Sequence, residues 1–277
     1  MPASNIPYEM ENDMNAVKND YIRQHIRTRY AGIAKSGGTC GCGSGCCPPD
    51  ALLNPDASAQ IGYSPEELAA VPEGANMGLG CGNPQAIAAL QPGETVIDLG
   101  CGAGFDCFLA ARRVGPKGRA IGVDMTPEMV HKARENAAKG KVHNVDFRLG
   151  EIEHLPVANG IADVTLSNCV INLSPDKPQV FADAARVLKP GGRLAISDVV
   201  AIAPIPARIK KKLEAHSGCI AGAASVAEIK RMLKQAGFSK IRIAVKEHSK
   251  EFIKDWFPGS GAERFVRSAT IEAIRKG

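Results

Sequence analysis

Residues 94–106 read ETVIDLGCGAGFD. An apolar run carrying an acid, Asp98, meets three alternating glycines, Gly100, Gly102 and Gly104. The pattern predicts a strand that becomes a helix through a turn which a nucleotide-like ligand can approach closely. Glycine at alternate positions removes the Cβ atoms that would hold such a ligand off the backbone. The helix that follows aims its N-terminus, with unpaired N–H groups, at whatever sits there.

Spacing separates this turn from the dinucleotide fingerprint G-x-G-x-x-G. The third glycine comes one residue early, and Phe105 stands where the fingerprint has glycine. The pattern D-x-G-x-G-x-G resembles motif I of the Rossmann-like S-adenosylmethionine (SAM) methyltransferases. Downstream, RAIGVDMTPEMV (119–130) predicts a second strand ending at Asp124. A carboxylate there suits a ribose diol, because it accepts two hydroxyl hydrogen bonds. Met125 is polarizable and suits stacking on adenine. A bland alternative makes Asp124 a helix cap and Met125 a core residue. Thr126 already offers a cap, however, and Pro127 suits the first helical turn. NVDFRLGEIEHLP (144–156) gives a third strand and places Glu151 and Ile152 where this family reads the adenine amino edge. Asn168, closing the fourth strand VTLSN, completes the expected cofactor set. VLKPGGRLAISDV (187–199) carries the Pro-Gly-Gly turn into a fifth strand.

The fold these matches imply is α/β: a Rossmann-like, doubly wound, mostly parallel seven-stranded sheet whose last strand is antiparallel. We expect an N-terminal helical and Cys-rich region over 1–75, a SAM-binding core over 76–200, and substrate-side helices with the last strands, a small cap, over 201–277. Apolar spacing from Val17 through Tyr21, Ile22, Ile26, Tyr30 and Ile33 predicts an amphipathic helix over 13–34 that packs above the cofactor. Ser64 starts a short helix, Ser174 is expected to cap the helix after strand four, and Ser225 with Glu228 forms a capping box for a helix ending at Gly237. KIRIAVKEH then reads as strand six, and the tail after it holds a seventh strand.

A chain of 277 residues has room for one substantial α/β domain, burying roughly three quarters of its unfolded surface. The net charge of +5 is modest, and the basic run Arg208 to Lys212 reads as a solvated helix face. No basic strip interleaved with aromatics points to nucleic acid. No apolar stretch has the length of a membrane helix, and Met1 to Asn15 is too polar for a signal peptide. A cytoplasmic location is expected.

Nine cysteines are many for such a chain. In a reducing compartment they more often mean metal, redox or nucleophile chemistry than structural disulfides. Cys40, Cys42, Cys46 and Cys47 crowd into SGGTCGCGSGCCPPD, a Gly/Ser/Pro-rich segment. Cys101 and Cys107 fall in and after the glycine turn and read as small buried hydrophobes. Cys81, Cys169 and Cys219 lie far apart in GLGCGNP, SNCVINL and SGCIAGA. Each alone reads as a packed apolar residue. All three are expected at the ligand edge of the sheet, and together they suit capture of a soft, thiophilic atom.

These motifs together, with VKNDYIRQHIRTRYAGIA (17–34) ahead of a cysteine cluster, resemble the arsenite methyltransferases. The resemblance covers residues 14 to about 245. It implies that Cys81, Cys169 and Cys219 hold trivalent arsenic (arsenite or its thiol conjugates) as three thiolates, opposite the methyl of SAM, for arsenic detoxification. It also implies that one of Cys40, Cys42, Cys46 or Cys47 is redox-active, with thioredoxin or a small thiol as reductant. Many members carry a longer C-terminal domain, whereas this chain stops at Gly277. Two rival readings remain: a SAM-dependent C-methyltransferase of a quinone-like molecule, which gives the three cysteines no task, and a soft-metal-binding module. The spacing C-G-C-x-x-x-C-C lacks paired C-x-x-C knuckles, so a structural zinc site is not expected there.

Overall fold

The computed structural model describes residues 8–35, 57–210, 219–256 and 259–277. Seven strands form one sheet: β1 Thr95–Leu99, β2 Arg119–Asp124, β3 Val145–Leu149, β4 Ala162–Asn168, β5 Leu188–Ala201, β6 Phe238–Lys246 and β7 Val266–Arg275. Their order across the sheet is β3-β2-β1-β4-β5-β7-β6. The first five pair in parallel, and β7 runs antiparallel between β5 and β6. The expected doubly wound, mostly parallel sheet is therefore present.

Alternation along each strand divides the core between two faces. In β1, Ile97 and Leu99 face one cluster while Val96 faces the other. In β5, Leu194 and Ile196 share the face of Ile97, and Ala195 takes the opposite one. The first face is covered by Val180, Phe181 and Ala184 of helix Lys177–Val187 and by Ile229, Met232 and Leu233 of helix Val226–Gln235. The second is covered by Phe108, Ala111 and Val114 of helix Phe105–Val114 and by Val130 and Ala133 of helix Pro127–Lys139. Apolar residues recur at helical spacing in each, so every helix buries one stripe.

The chain leaves β1 toward β2 on one side and resumes at β4 on the other. That switch point opens a crevice at the carboxyl ends of β1 and β4, the place where open α/β sheets take ligands. The N-terminal helix α1 (Tyr8–Lys35) reaches this edge, where Arg23 pairs with Glu151 at 3.4 Å and with Glu153 at 3.1 Å. Only the second half of its predicted stripe is covered. Ile26 and Ile33 are buried, whereas Val17 and Tyr21 stay exposed.

Three local expectations need correction. Asp176, not Ser174, caps helix Lys177–Val187, accepting from the Gln179 N–H. Ser174 instead accepts from the Asp176 N–H and donates to Glu153 at 2.7 Å. The Thr126 side chain makes no cap bond to helix Pro127–Lys139. The Pro-Gly-Gly segment lies within β5, where the pairing with β4 slips its register, rather than ahead of the strand. The capping boxes at Ser64 with Glu67 and Ser225 with Glu228 both form, and Gly237 takes the left-handed conformation just past its helix (φ 89).

Candidate active site

Gly100, Gly102 and Gly104 all have positive φ (74, 51 and 94). Their tasks differ. A Cβ on Gly104 would stand 2.8 Å from the rings of Phe108 and Phe147, and one on Gly100 would stand 2.5 Å from Val170. These two glycines let helix and loop pack closely. A Cβ on Gly102 would meet nothing within 4 Å, so its backbone faces open space that a ligand can approach.

Asp124 fixes the middle of this turn. Its carboxylate accepts from the Gly102 N–H at 3.0 Å and from the Thr126 N–H at 2.8 Å. Burial pushes its pKa up, and the two N–H groups oppose the rise. A carboxylate has about four lone-pair sites, so two backbone bonds leave acceptor capacity toward the crevice. Asp98 lies deeper, only 3% exposed, with the Cys107 thiol donating to it at 3.5 Å. Burial, reinforced by the nearby Asp106 charge, holds the Asp98 pKa well above the usual carboxylate range. Glu151 is gripped by Arg23 and Arg27, both at 3.4 Å. Ile152 is buried in the main core, and Met125 packs with Ile22, Tyr30, Cys169 and Cys219 around Ile26 and Leu173.

Asn168 spends its side chain on the loop bearing Cys81. Its Oδ1 accepts from the Cys81 N–H at 3.0 Å, and its Nδ2 donates to the Gly82 carbonyl at 2.8 Å and to the Tyr63 hydroxyl at 3.0 Å. Tyr63 in turn donates to the Asp106 carboxylate at 2.8 Å. This buried network clamps the loop of residues 78–84 onto the end of β4. The close fit shows at Gly80, where φ is 139 and an added Cβ would meet the Asn168 amide at 2.8 Å.

The three separated cysteines share one neighbourhood, but their sulfurs do not form a single set within 4.8 Å: Cys81 and Cys169 do, and Cys219 stands beside Cys169 outside it. The Cys219 thiol donates to the Cys169 carbonyl at 2.9 Å. Cys81 and Cys219 are buried, and Cys169 is half-buried. Cys169 and Cys219 both hold the left-handed backbone, with φ of 60 and 67. Non-glycine residues rarely adopt it, at a cost on the order of 1–3 kcal/mol, and such strain gathers at functional sites. Burial raises the Cys81 pKa. The adjacent Cys169 raises that of Cys219, and burial adds to it. For Cys169 the neighbouring Cys219 acts downward, but Cys81 and burial outweigh it. Without a ligand, the nest is neutral.

Tyr30 of α1 joins the two halves. Its phenol is pushed above the usual range by burial and by the charges of Cys219, Cys169 and Asp124. Tyr30 packs in the cluster that holds Cys169, Cys219 and Met125, the residue after Asp124. Cys101 and Cys107 are buried against the second core face, apart from the trio. Cys40, Cys42, Cys46 and Cys47 lie outside the described residues.

Asp198 is the residue that the sequence reading passed over. Its carboxylate lies within 4.8 Å of the Cys81 and Cys169 ligand atoms. It accepts from the Asn172 amide at 2.9 Å and from the Val199 N–H at 2.7 Å, and burial lifts its pKa to about 6. The one available signal was an acid inside the apolar run of β5. Tyr63 and Asp106 left no comparable mark.

No helix among the described residues is long and apolar enough to cross a membrane. A family described as "Methyltransferase domain" matches residues 90–237. An arsenite methyltransferase of Halobacterium salinarum is 54% identical over 91% of this chain and 66% of its own length. One from Aquipseudomonas alcaligenes is 38% identical over 72% of this chain and 57% of its own length. The chain thus spans about two thirds or less of these curated relatives. An arsenic(III) SAM methyltransferase from Chlamydomonas reinhardtii, solved by crystallography, is 32% identical with a TM-score of 0.59, covering 80% of this chain and 73% of that one. At that identity and coverage, the chain belongs to the SAM-dependent arsenic(III) methyltransferase family.

Proposed function

We propose that this protein methylates trivalent arsenic held by the thiolates of Cys81, Cys169 and Cys219. The observation that supports the reading is that Cys81 and Cys169, from remote segments, lie within 4.8 Å of each other with Cys219 against the Cys169 carbonyl, two of the three on left-handed backbone. The residues fit SAM. Gly102 leaves open space beside the turn, and Asp124 keeps acceptor capacity for a ribose diol. Glu151, half-buried between Arg23 and Arg27, is our candidate for the adenine amino group, whereas Ile152 packs in the core beneath it. Asn168 acts through the loop it clamps, by setting the place of Cys81.

Binding arsenite forms three As–S bonds while three thiol protons leave with the arsenite oxygens as water. Arsenic so held is pyramidal and keeps a lone pair on its open side. SAM, when bound, supplies an electrophilic methyl on a cationic sulfonium. The thiol nest aims the lone pair at that carbon, and the buried wall around Tyr30 keeps water away. No proton leaves arsenic, so no general base is required; His143 and His154 are exposed. Catalysis then comes mainly from alignment, which can contribute about 7–11 kcal/mol for well-oriented partners. Methylation formally oxidises arsenic. A cysteine pair closing to a disulfide returns the electrons, and thioredoxin or a small thiol reopens it.

Purified protein, SAM, arsenite and a dithiol are expected to yield methylated arsenic by mass spectrometry, with arsenite protecting three thiols from alkylation. Protein that protects no thiols and methylates only an organic acceptor would sink the proposal. Protection without turnover would reduce it to a binding module. Replacing Cys40, Cys42, Cys46 and Cys47 together by Ser is expected to spare a single turnover and slow repeated ones. Equal loss in rapid-quench and steady-state assays would instead place one of them on the substrate.

A further inference from the structure

Cys81 and Cys169 belong to two donor sets. One is the thiol trio, completed by Cys219. The other is Cys81, Cys169 and Asp198, whose ligand atoms all lie within 4.8 Å of one another. Cys219 is not in that second set, and its thiol is turned to the Cys169 carbonyl.

Asp198 has no task in arsenic capture, which three sulfurs complete. It is only 2% exposed, and among the described residues no Lys or Arg forms an ion pair with it. Lys177 exerts a favourable charge on it, but its ammonium bonds to the Ser174 carbonyl at 3.1 Å. The two short bonds from Asn172 and Val199 both fall on Oδ1. Oδ2 accepts from the Asn172 N–H at a long 3.4 Å, and the Ile171 N–H also acts on the carboxylate. A buried acid beside two thiols, met only by neutral donors, is costly unless a cation meets it.

We propose that Cys81, Cys169 and Asp198 form a site for a divalent cation of zinc type. The donors select it. Two sulfurs and one carboxylate oxygen suit a borderline-soft ion that accepts mixed ligands in a tetrahedron, with a fourth position left for water. Calcium and magnesium require oxygen shells. On binding, two metal–sulfur bonds and one metal–oxygen bond form, and two thiol protons pass to solvent. No electron moves. Because two thiols are shared, zinc and arsenite exclude each other, so zinc raises the KM for arsenite and leaves kcat unchanged. The competition rests on the arsenic reading above; the zinc site does not.

The test uses the full chain with Cys40, Cys42, Cys46 and Cys47 replaced by Ser, fully reduced, with zinc titrated against a chromophoric chelator. One zinc per chain is expected. Asp198→Asn should weaken it by more than the roughly 10–100-fold that losing a mere supporting partner costs, and Cys219→Ser should leave it unchanged. Absence of stoichiometric zinc overturns the site, as does a loss in Cys219→Ser equal to that in Asp198→Asn. SAM binding reports whether each variant is folded. Should Asp198→Asn fail that check, Cys81→Ser and Cys219→Ser decide, since the first must lose zinc and the second must keep it. None of these readouts requires arsenic turnover.

Discussion

Cys169→Ser is expected to abolish methylation of arsenite while SAM still binds with near-native affinity. Cys169 is the middle of the nest: its thiol neighbours Cys81, and its carbonyl accepts from the Cys219 thiol. A hydroxyl there keeps the volume and the local backbone but offers arsenic a poor ligand. The metalloid is then held by two sulfurs and swings off the line to the methyl. Misplacement by about 1 Å alone can cost on the order of 100-fold, so a loss of at least that size in kcat/KM is expected. Calorimetry with SAM and mass spectrometry of products separate the two effects. Unchanged turnover would remove Cys169 from the reaction. Cys219→Ser should behave alike, whereas serine at Cys101, buried in the core away from the nest, should act on stability alone.

Asp124→Ala should produce the opposite division. The Gly102 and Thr126 N–H groups lose their common acceptor, and the ribose loses its anchor. A hydrogen bond to a charged group contributes about 1.5–3 kcal/mol, so the SAM dissociation constant should rise by about one to two decades. Arsenite binding should barely change, because no thiol depends on Asp124 for its place. Trp256 is the single tryptophan of the chain and packs on the cluster that contains Cys81. Its fluorescence offers a direct readout of arsenite binding in this variant. An intact SAM constant would mean that the carboxylate serves only the turn.

What could be read beforehand was written locally. The glycine turn, the acid at the end of β2 and both capping boxes are signals at fixed short offsets. Each is set by sterics or hydrogen bonds within a few residues. What escaped depends on partners far along the chain. Asn168 invited a place beside the cofactor, yet its amide bonds groups 86 and 105 residues away. Asp198 looked like one more residue of an apolar strand, because its neighbours Cys81 and Cys169 arrive from other elements. Ser174 and Asp176 compete for one helix start, and both bear suitable oxygens. Backbone geometry chose the aspartate, and the serine turned to Glu153. Val17 and Tyr21 share helical spacing with Ile26 and Ile33, but periodicity gives only the direction of a stripe and not where its cover ends.

The strand order has a consequence for synthesis. β7 is last along the chain yet fills the gap between β5 and β6, and its buried Ser268 donates to the Cys81 carbonyl at 2.6 Å. A ribosome delivers β1 to β4, and with them the nucleoside cradle, long before Ser268 emerges. The Cys81 loop therefore gains its Ser268 contact only after β1 to β4 have all been made.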